Sequence, residues 1–125
     1  MNKYIRFDFE YDGISDVLSI FDFNKPIKES IEFNEYLNID LGKNGEIVGL
    51  EIFDVSKFLS VLNNDVDKNF FKKLKKVELV QADYRNNWFI AIILYSEDKQ
   101  IYQQLPPIQK NRYVSPLIEY SSYNN

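Results

Sequence analysis

The chain has 125 residues, of which 45% are apolar and 27% are charged, with a formal net charge of −4. Its length suits one compact domain, since domain sizes peak at roughly 100–150 residues. The sequence contains neither cysteine nor histidine, which excludes disulfide frameworks, thiolate nucleophiles, histidine-dependent triads, and Cys or His metal sites.

The first predicted elements form a hairpin. Ile5, Phe7 and Phe9 alternate with polar residues, a period of two that is typical of a strand with one solvated face. Residues 11–16 follow with Asp and Gly, which favour a turn. Residues 17–23 are rich in β-branched and aromatic side chains and predict the returning strand.

The next segment has the clearest alternation in the chain. Its apolar residues of one parity are Ile31, Phe33, Leu37, Ile39 and Leu41. Glu35 and Tyr36 interrupt the pattern and indicate either a bulge or a strand break. Residues 42–45 end in Asn-Gly and predict a hairpin turn. Residues 46–55 are apolar on both parities, which predicts a central strand covered on both faces.

Two short helices are predicted in the middle of the chain. Ser56 is expected to act as the N-cap of the first. Asp65 or Asp67 is expected to cap the second, which is predicted to run to about Lys76. In that helix Val66, Phe70 and Leu74 lie four residues apart and predict one buried stripe.

The last third of the chain returns to strands. Residues 76–84 predict a strand, and residues 85–87 predict a turn. Residues 88–95 are the most apolar run in the chain and predict a buried central strand. Ile101 to Leu105 is expected to return as an edge strand, closed by the prolines at 106 and 107.

These elements predict an α+β protein that is predominantly antiparallel β-sheet, in the order β-β-β-β-α-α-β-β-β. We expect a single domain over residues 1–108 and a C-terminal tail over residues 109–125, either docked or mobile. The chain lacks an apolar segment near its N-terminus and any run of about 18 apolar residues. We therefore expect a cytoplasmic protein with no membrane contact.

Two motifs in the first half of the chain resemble a known prokaryotic family. They are Tyr11-Asp12-x-x-x-Asp16-x-Leu18-x-Ile20 and Gly45-x-Ile47-Val48-Gly49-Leu50-Glu51-Ile52-x-Asp54-Val55-Ser56. Over residues 11–56 the chain is similar to the uncharacterised domain-of-unknown-function family 2283. Ser19 and Val55 stand where that family generally has Tyr and Ala. The resemblance implies a small β-rich domain without an established activity, and an antitoxin-like role beside a partner.

The motif carboxylates Asp12, Asp16, Glu51 and Asp54 have two interpretations. They form turns and helix caps, or they bind a hard cation such as Mg²⁺ or Mn²⁺ in a metal-dependent hydrolase. The first is favoured, because their spacing matches no known ligand loop. The sequence therefore predicts no catalytic residue, no metal and no cofactor.

Basic residues offer a second candidate surface. Lys68, Lys72 and Lys76 recur every four residues, and Arg85 lies near Trp88. These residues form either a solvated helix face or a contact with nucleic acid or an acidic partner. The net negative charge argues against nucleic acid.

The leading functional hypothesis is a non-enzymatic protein-interaction module that forms a homodimer and can bind another protein. The edge strand near Ile101 and the tail residues Val114, Leu117 and Ile118 are the predicted contacts. The alternatives are an antitoxin-like or nucleic-acid-associated regulator that uses the lysines, and a metal-dependent hydrolase that uses the carboxylates.

Overall fold

A computed structural model of the chain describes residues 4–97 and 99–109. In chain order the elements are β1 (Ile5–Asp12), β2 (Val17–Phe21), β3 (Glu29–Glu32), β4 (Leu37–Leu41), β5 (Ile47–Ile52), α1 (Val55–Leu62), α2 (Lys68–Lys72), β6 (Leu74–Tyr84), β7 (Asn87–Ser96), β8 (Gln100–Gln104) and β9 (Ile108–Gln109). The protein is thus mostly antiparallel sheet with two short helices, and the predicted α+β class is confirmed at this level.

The strands form a sheet in the order β3-β4-β5-β2-β1-β6-β7-β8, and β9 also pairs with β7. Strand β1 lies near the centre of this sheet and pairs with two other strands. Its first residues, Ile5 to Phe7, pair with β6, whereas Asp8 to Asp12 pair with β2. Both halves of the sheet therefore meet at β1, and their inward side chains share one hydrophobic core.

That core explains the alternation seen in the sequence. On β2 and β4 every second side chain is buried, as Leu18 and Ile20 illustrate. Strand β5 is buried on both parities and lies between β4 and β2, so the predicted central strand is confirmed. The helices add Val55, Leu59, Phe70 and Phe71 to the core. Within the described ranges no helix is long and apolar enough to cross a membrane.

The sheet has more strands than the seven predicted. The predicted strand over residues 31–41 is two strands, β3 and β4, joined by a tight turn. Asn34 causes this break, because its side-chain oxygen accepts a hydrogen bond from the backbone N–H of Tyr36 at 2.7 Å. The second added strand, β9, follows the two prolines and contains the first residue of the predicted tail. Residues 110–125 lie outside the described part of the chain.

The helix boundaries also differ from the prediction. Asp67 does cap α2, since its carboxylate accepts a hydrogen bond from the N–H of Phe70 at 2.9 Å. The helix nevertheless ends at Lys72 and not at Lys76, because Leu74 already belongs to β6. Ser56 is not the N-cap of α1. That position is Asp54, whose side chain makes no capping hydrogen bond.

Candidate functional site

Asp16 is the buried charged residue among the described positions, with 5% of its surface exposed. It lies in the turn between β1 and β2, in the left-handed backbone region at φ 57°. Aspartate tolerates this region better than most residues. A buried carboxylate is costly unless hydrogen bonds replace its lost water. The partners of Asp16 therefore decide what this position does.

Three donor groups converge on the Asp16 carboxylate. The Tyr11 hydroxyl donates to Oδ1 at 2.7 Å. The Ser56 hydroxyl donates to Oδ2 at 2.6 Å, and the Ser56 backbone N–H donates to the same oxygen at 3.2 Å. In addition, the carbonyl of Asp16 accepts a hydrogen bond from the N–H of Val55 at 3.0 Å. Val55 and Ser56 are the first two residues of α1, so Asp16 binds the free N–H groups at the start of that helix.

Asp16 is thus a helix cap supplied from another part of the chain, forty residues before Ser56. An ordinary N-cap side chain accepts from one of the first helical N–H groups. Asp54 occupies the cap position but has a left-handed backbone at φ 50° and makes no such bond. Asp16 takes over this role, and its negative charge lies at the helix end where the helix dipole favours it. We call Tyr11, Asp16 and Ser56 the cap cluster.

Tyr11 ties the cap cluster to the second helix. Its ring stacks on Phe71 of α2, with ring centroids 5.3 Å apart and planes at 28°. Burial, followed by the hydrogen bond to Asp16, raises the pKa of the Tyr11 hydroxyl well above its ordinary value. Tyr11 therefore remains a hydrogen-bond donor to the carboxylate throughout the physiological range. Tyr11 therefore links α2 to Asp16, which in turn binds the start of α1.

The other motif carboxylates lie apart from this cluster and have local partners. Asp12 is exposed, and the Ser15 hydroxyl together with the backbone N–H groups of Ser15 and Ile14 lowers the pKa of its carboxyl. Glu51 is half-buried on β5 and accepts a hydrogen bond from the Asn38 amide at 3.4 Å. Asp54 is exposed at the start of α1. These contacts are turn and cross-strand interactions.

The carboxylates do not assemble a metal site. In the two described ranges no three Asp or Glu side chains are grouped so that they could hold an ion. The same residues contain no buried side-chain polar atom without a hydrogen-bond partner. The oxygens of Asp16 receive donors, which is the arrangement of a structural hydrogen-bond network.

The predicted basic residues are divided between two elements. Lys68 and Lys72 are exposed on α2, whereas Lys76 lies in β6 with its ammonium 4.5 Å from the centre of the Tyr95 ring. The expected lysine stripe along one helix is therefore wrong, because the helix ends before Lys76. Arg85 is exposed in the turn between β6 and β7 at φ 58°, and its guanidinium lies 5.4 Å from the centre of the Tyr84 ring.

Trp88 lies in the core with 6% of its surface exposed, so it does not share an exposed stacking surface with Arg85. The tryptophan is a core residue of β7.

A further surface lies on the side of β6, β7 and β8 that faces away from the core, and we call it the outer face. It holds a shallow depression of about 330 Å³, lined by Tyr4, Val80, Ala82, Phe89, Ile90, Ala91, Tyr102 and Gln104. The rings of Tyr4 and Tyr102 meet edge to face, with centroids 6.3 Å apart. Tyr102 belongs to β8, the last strand of the sheet, and is 55% exposed. Sequence patterning identified the edge strand but not this face.

Comparison with known proteins gives a family match over part of the chain and no activity. An uncharacterized protein of Methanocaldococcus jannaschii is 31% identical over 68 residues, which are 54% of this chain and 56% of the relative. The match therefore spans little more than half of either protein. No solved structure matches the chain. Residues 8–56 match the family described as "Protein of unknown function (DUF2283)", which confirms the resemblance predicted from the two motifs over this part of the chain.

Proposed function

We propose that this chain is a non-enzymatic protein-interaction module that self-associates through the edge strand β8. The observation that carries the proposal is the uncharged character of this edge. Strand β8 ends the sheet and, within the described residues, pairs only with β7. From Gln100 to Gln109 the chain contains no charged residue. Natural sheets usually protect an exposed edge with charges or very short strands.

The opposite edge of the same sheet shows that protection. Strand β3 has only four residues, and both Glu29 and Glu32 are exposed on it. A second polypeptide that approached β3 would have to place its backbone beside two carboxylates. Strand β8 presents Gln, Ile, Tyr, Gln and Gln. The contrast between the two edges favours β8 as the contact strand.

The side chains beside β8 also suit an interface. Tyr102 is more than half exposed and rests edge to face on Tyr4. Tyrosine is enriched at protein interfaces because it combines a large apolar ring with a polar hydroxyl and few rotatable bonds. The apolar depression of the outer face borders the same strand. A partner at β8 would cover this aromatic pair.

The cap cluster supports the non-enzymatic part of the proposal. Asp16 is the one buried carboxylate described, and its oxygens accept hydrogen bonds from Tyr11 and Ser56. A general base must instead have an oxygen within reach of a substrate proton. The family motif therefore contributes to the fold of this chain, because Asp16 accepts the hydrogen bonds of the free donor groups at the start of α1.

A second copy of the chain is the proposed occupant of the edge. Each copy carries a net charge of −4, so self-association requires a contact that brings no like charges together. Strand β8 meets that condition because its five residues are neutral. The predicted homodimer is thus retained, with its contact assigned to β8.

Sedimentation velocity of the full chain, from micromolar to millimolar concentration, tests the proposal. We expect a dimer that dissociates on dilution, and we expect Tyr102→Lys to weaken it at least about tenfold by placing a charge on the edge. Tyr84→Lys is the matched control, since Tyr84 is 61% exposed but lies at the far end of β6. A strict monomer at every concentration would refute the proposal, as would equal weakening by both variants.

A further inference from the structure

The free side of β8 has a definite set of hydrogen-bonding groups. The N–H of Leu105 donates to the carbonyl of Ile90 on β7 at 2.9 Å. In an antiparallel pair the residues that face the neighbouring strand alternate with residues that face away. Since Leu105 faces β7, the backbone groups of Ile101 and Gln103 do so as well. Those of Gln100, Tyr102 and Gln104 point to the open side.

One side-chain contact agrees with this assignment. The Gln103 amide donates a hydrogen bond to the carbonyl of Gln104 at 2.9 Å, in an exposed position. The Gln104 carbonyl therefore does not point at β7, and a local amide partly covers it. A partner strand can share this oxygen through its second lone pair or displace the amide.

From these groups we infer that β8 pairs in antiparallel orientation with β8 of a second copy, with Tyr102 opposite Tyr102 and Gln100 opposite Gln104. This inference rests on the proposed function and specifies its geometry. The strand is self-complementary in this register, because the outward-facing residues 100, 102 and 104 of one copy lie opposite residues 104, 102 and 100 of the other, in that order. All three then form hydrogen-bonded pairs, and the two sheets become one continuous sheet across a two-fold axis.

Neighbouring registers fit less well. A shift by one residue sets outward-facing groups against inward-facing groups and forms no ladder. A shift by two in one direction places Gln100 opposite Pro106, which has no N–H to donate. A shift by two in the other direction leaves Gln104 without a partner on β8, because the position opposite it lies before the first residue of that strand in the second copy. The register centred on Tyr102 is the one that uses every outward group of the strand.

This register also places the side chains favourably. The two Tyr102 rings lie side by side on the outer face, each already in contact with Tyr4 of its own copy. Lys99, the charged residue just before β8, falls opposite Leu105 of the second copy and not opposite another lysine. The seam thus carries a row of four tyrosines with no facing like charges.

Cysteine cross-linking of the full chain tests the register cleanly, because the natural sequence has no cysteine. Hydrogen-bonded antiparallel partners have Cα atoms about 5.5 Å apart, within the roughly 4.4–6.8 Å that a disulfide spans. We expect Tyr102→Cys, and the double variant Gln100→Cys with Gln104→Cys, to form covalent dimers under mild oxidation. The double variant retains Tyr102 and so guards against loss of the dimer by the substitution itself.

The single variants Gln100→Cys and Gln104→Cys are the matched controls. In the inferred register, two cysteines at position 104 are separated by four residues along the strand, about 13 Å, and cannot be joined. Cross-linking of either single variant as efficiently as the double variant would overturn the register. A dimer in sedimentation without any of these cross-links would also overturn it while leaving the proposed function intact. A monomeric chain would remove both.

Discussion

Replacing Asp16 by Asn is the sharpest test of the cap cluster. Asn has the same size as Asp and also tolerates the left-handed backbone of this position. The substitution therefore removes the charge and one acceptor oxygen without adding strain. Tyr11 and Ser56 bring three donor groups to the carboxylate, and the amide group of Asn can accept only at its single oxygen.

The expected loss follows from those contacts. Hydrogen bonds to a charged group contribute about 1.5–3 kcal/mol, against about 0.5–1.5 for neutral pairs, and a buried donor left unsatisfied costs about 1–3 kcal/mol. Allowing for non-additivity among three bonds to one group, we expect Asp16→Asn to lower the free energy of unfolding by about 2–4 kcal/mol. That is a large fraction of the roughly 5–15 kcal/mol typical of a domain.

Urea denaturation followed by tryptophan fluorescence measures this loss. The chain has one tryptophan, and Trp88 is buried in β7, so its emission reports on the core. Asp54→Asn is the matched control, because Asp54 is exposed and its side chain makes no capping bond. A loss below about 0.5 kcal/mol for Asp16→Asn would refute the reasoning. A gain in stability for Asp16→Asn would contradict the structural role of Asp16 more strongly, since a stabilising substitution is typical of a residue that is retained for function.

Three further predictions come from neighbouring residues. Above the ordinary tyrosine pKa of about 10, Tyr11 loses its proton in the unfolded chain but keeps it in the folded protein, because folding raises its pKa. The free energy of unfolding should therefore fall as the pH rises through this range. Tyr11→Phe should make that fall less steep in urea titrations. Ser56→Ala should cost about 1–2 kcal/mol by the same denaturation assay, because it removes one donor to Asp16 and leaves the backbone bond in place. Gly49→Ala should cost about 1–3 kcal/mol, because its Cβ would lie 2.8 Å from the Asp40 carboxylate and 3.1 Å from the backbone carbonyl oxygen of Ile20. Gly13→Ala serves as its control, since the nearest atom to a Cβ at Gly13 is the flexible end of Lys72 at 3.3 Å. Equal losses for the two glycine variants, or a pH profile unchanged by Tyr11→Phe, would contradict these explanations.

Much of the sheet could be predicted because its signals are local. Alternation of apolar residues reports which face of a strand is buried, and it gave β1 and β4. The apolar residues on both parities predicted that β5 is central, and the most apolar run of the chain predicted the same for β7. The turn before β5 was predicted from its Asn-Gly pair, and Gly45 does adopt a left-handed backbone at φ 78°. The edge position of β8 was predicted together with the two prolines that follow it, and β8 does end the strand order.

The predicted element boundaries are wrong where two local sequence patterns overlap. Leu74 continues the four-residue spacing of α2 and is buried as that spacing requires, yet it is the first residue of β6. Apolar spacing alone does not show where a helix gives way to a strand. Similarly, the alternation on either side of residues 33–36 is in phase, so the interruption at Glu35 and Tyr36 was compatible with either a bulge or a strand break. The hydrogen bond at Asn34 shows that it is a break between β3 and β4.

The cap cluster could not be predicted from spacing at all. Its two halves are forty positions apart, and each half was explained locally, Asp16 as a turn residue and Ser56 as an N-cap. The available signal was that Tyr11, Asp16 and Ser56 all belong to the two family motifs. Residues that recur together in one pattern are candidates for contact in space, and these three do meet.

A double-mutant cycle between Asp16 and Ser56 tests most directly whether the motif residues act together as a structural cap. The free energy of unfolding is measured for the natural chain, Asp16→Asn, Ser56→Ala and the double variant. We expect the double variant to lose at least about 1 kcal/mol less than the sum of the single variants, as is typical of residues in contact. Losses that add within about 0.3–0.5 kcal/mol would show that Asp16 and Ser56 act independently and do not form one structural cap.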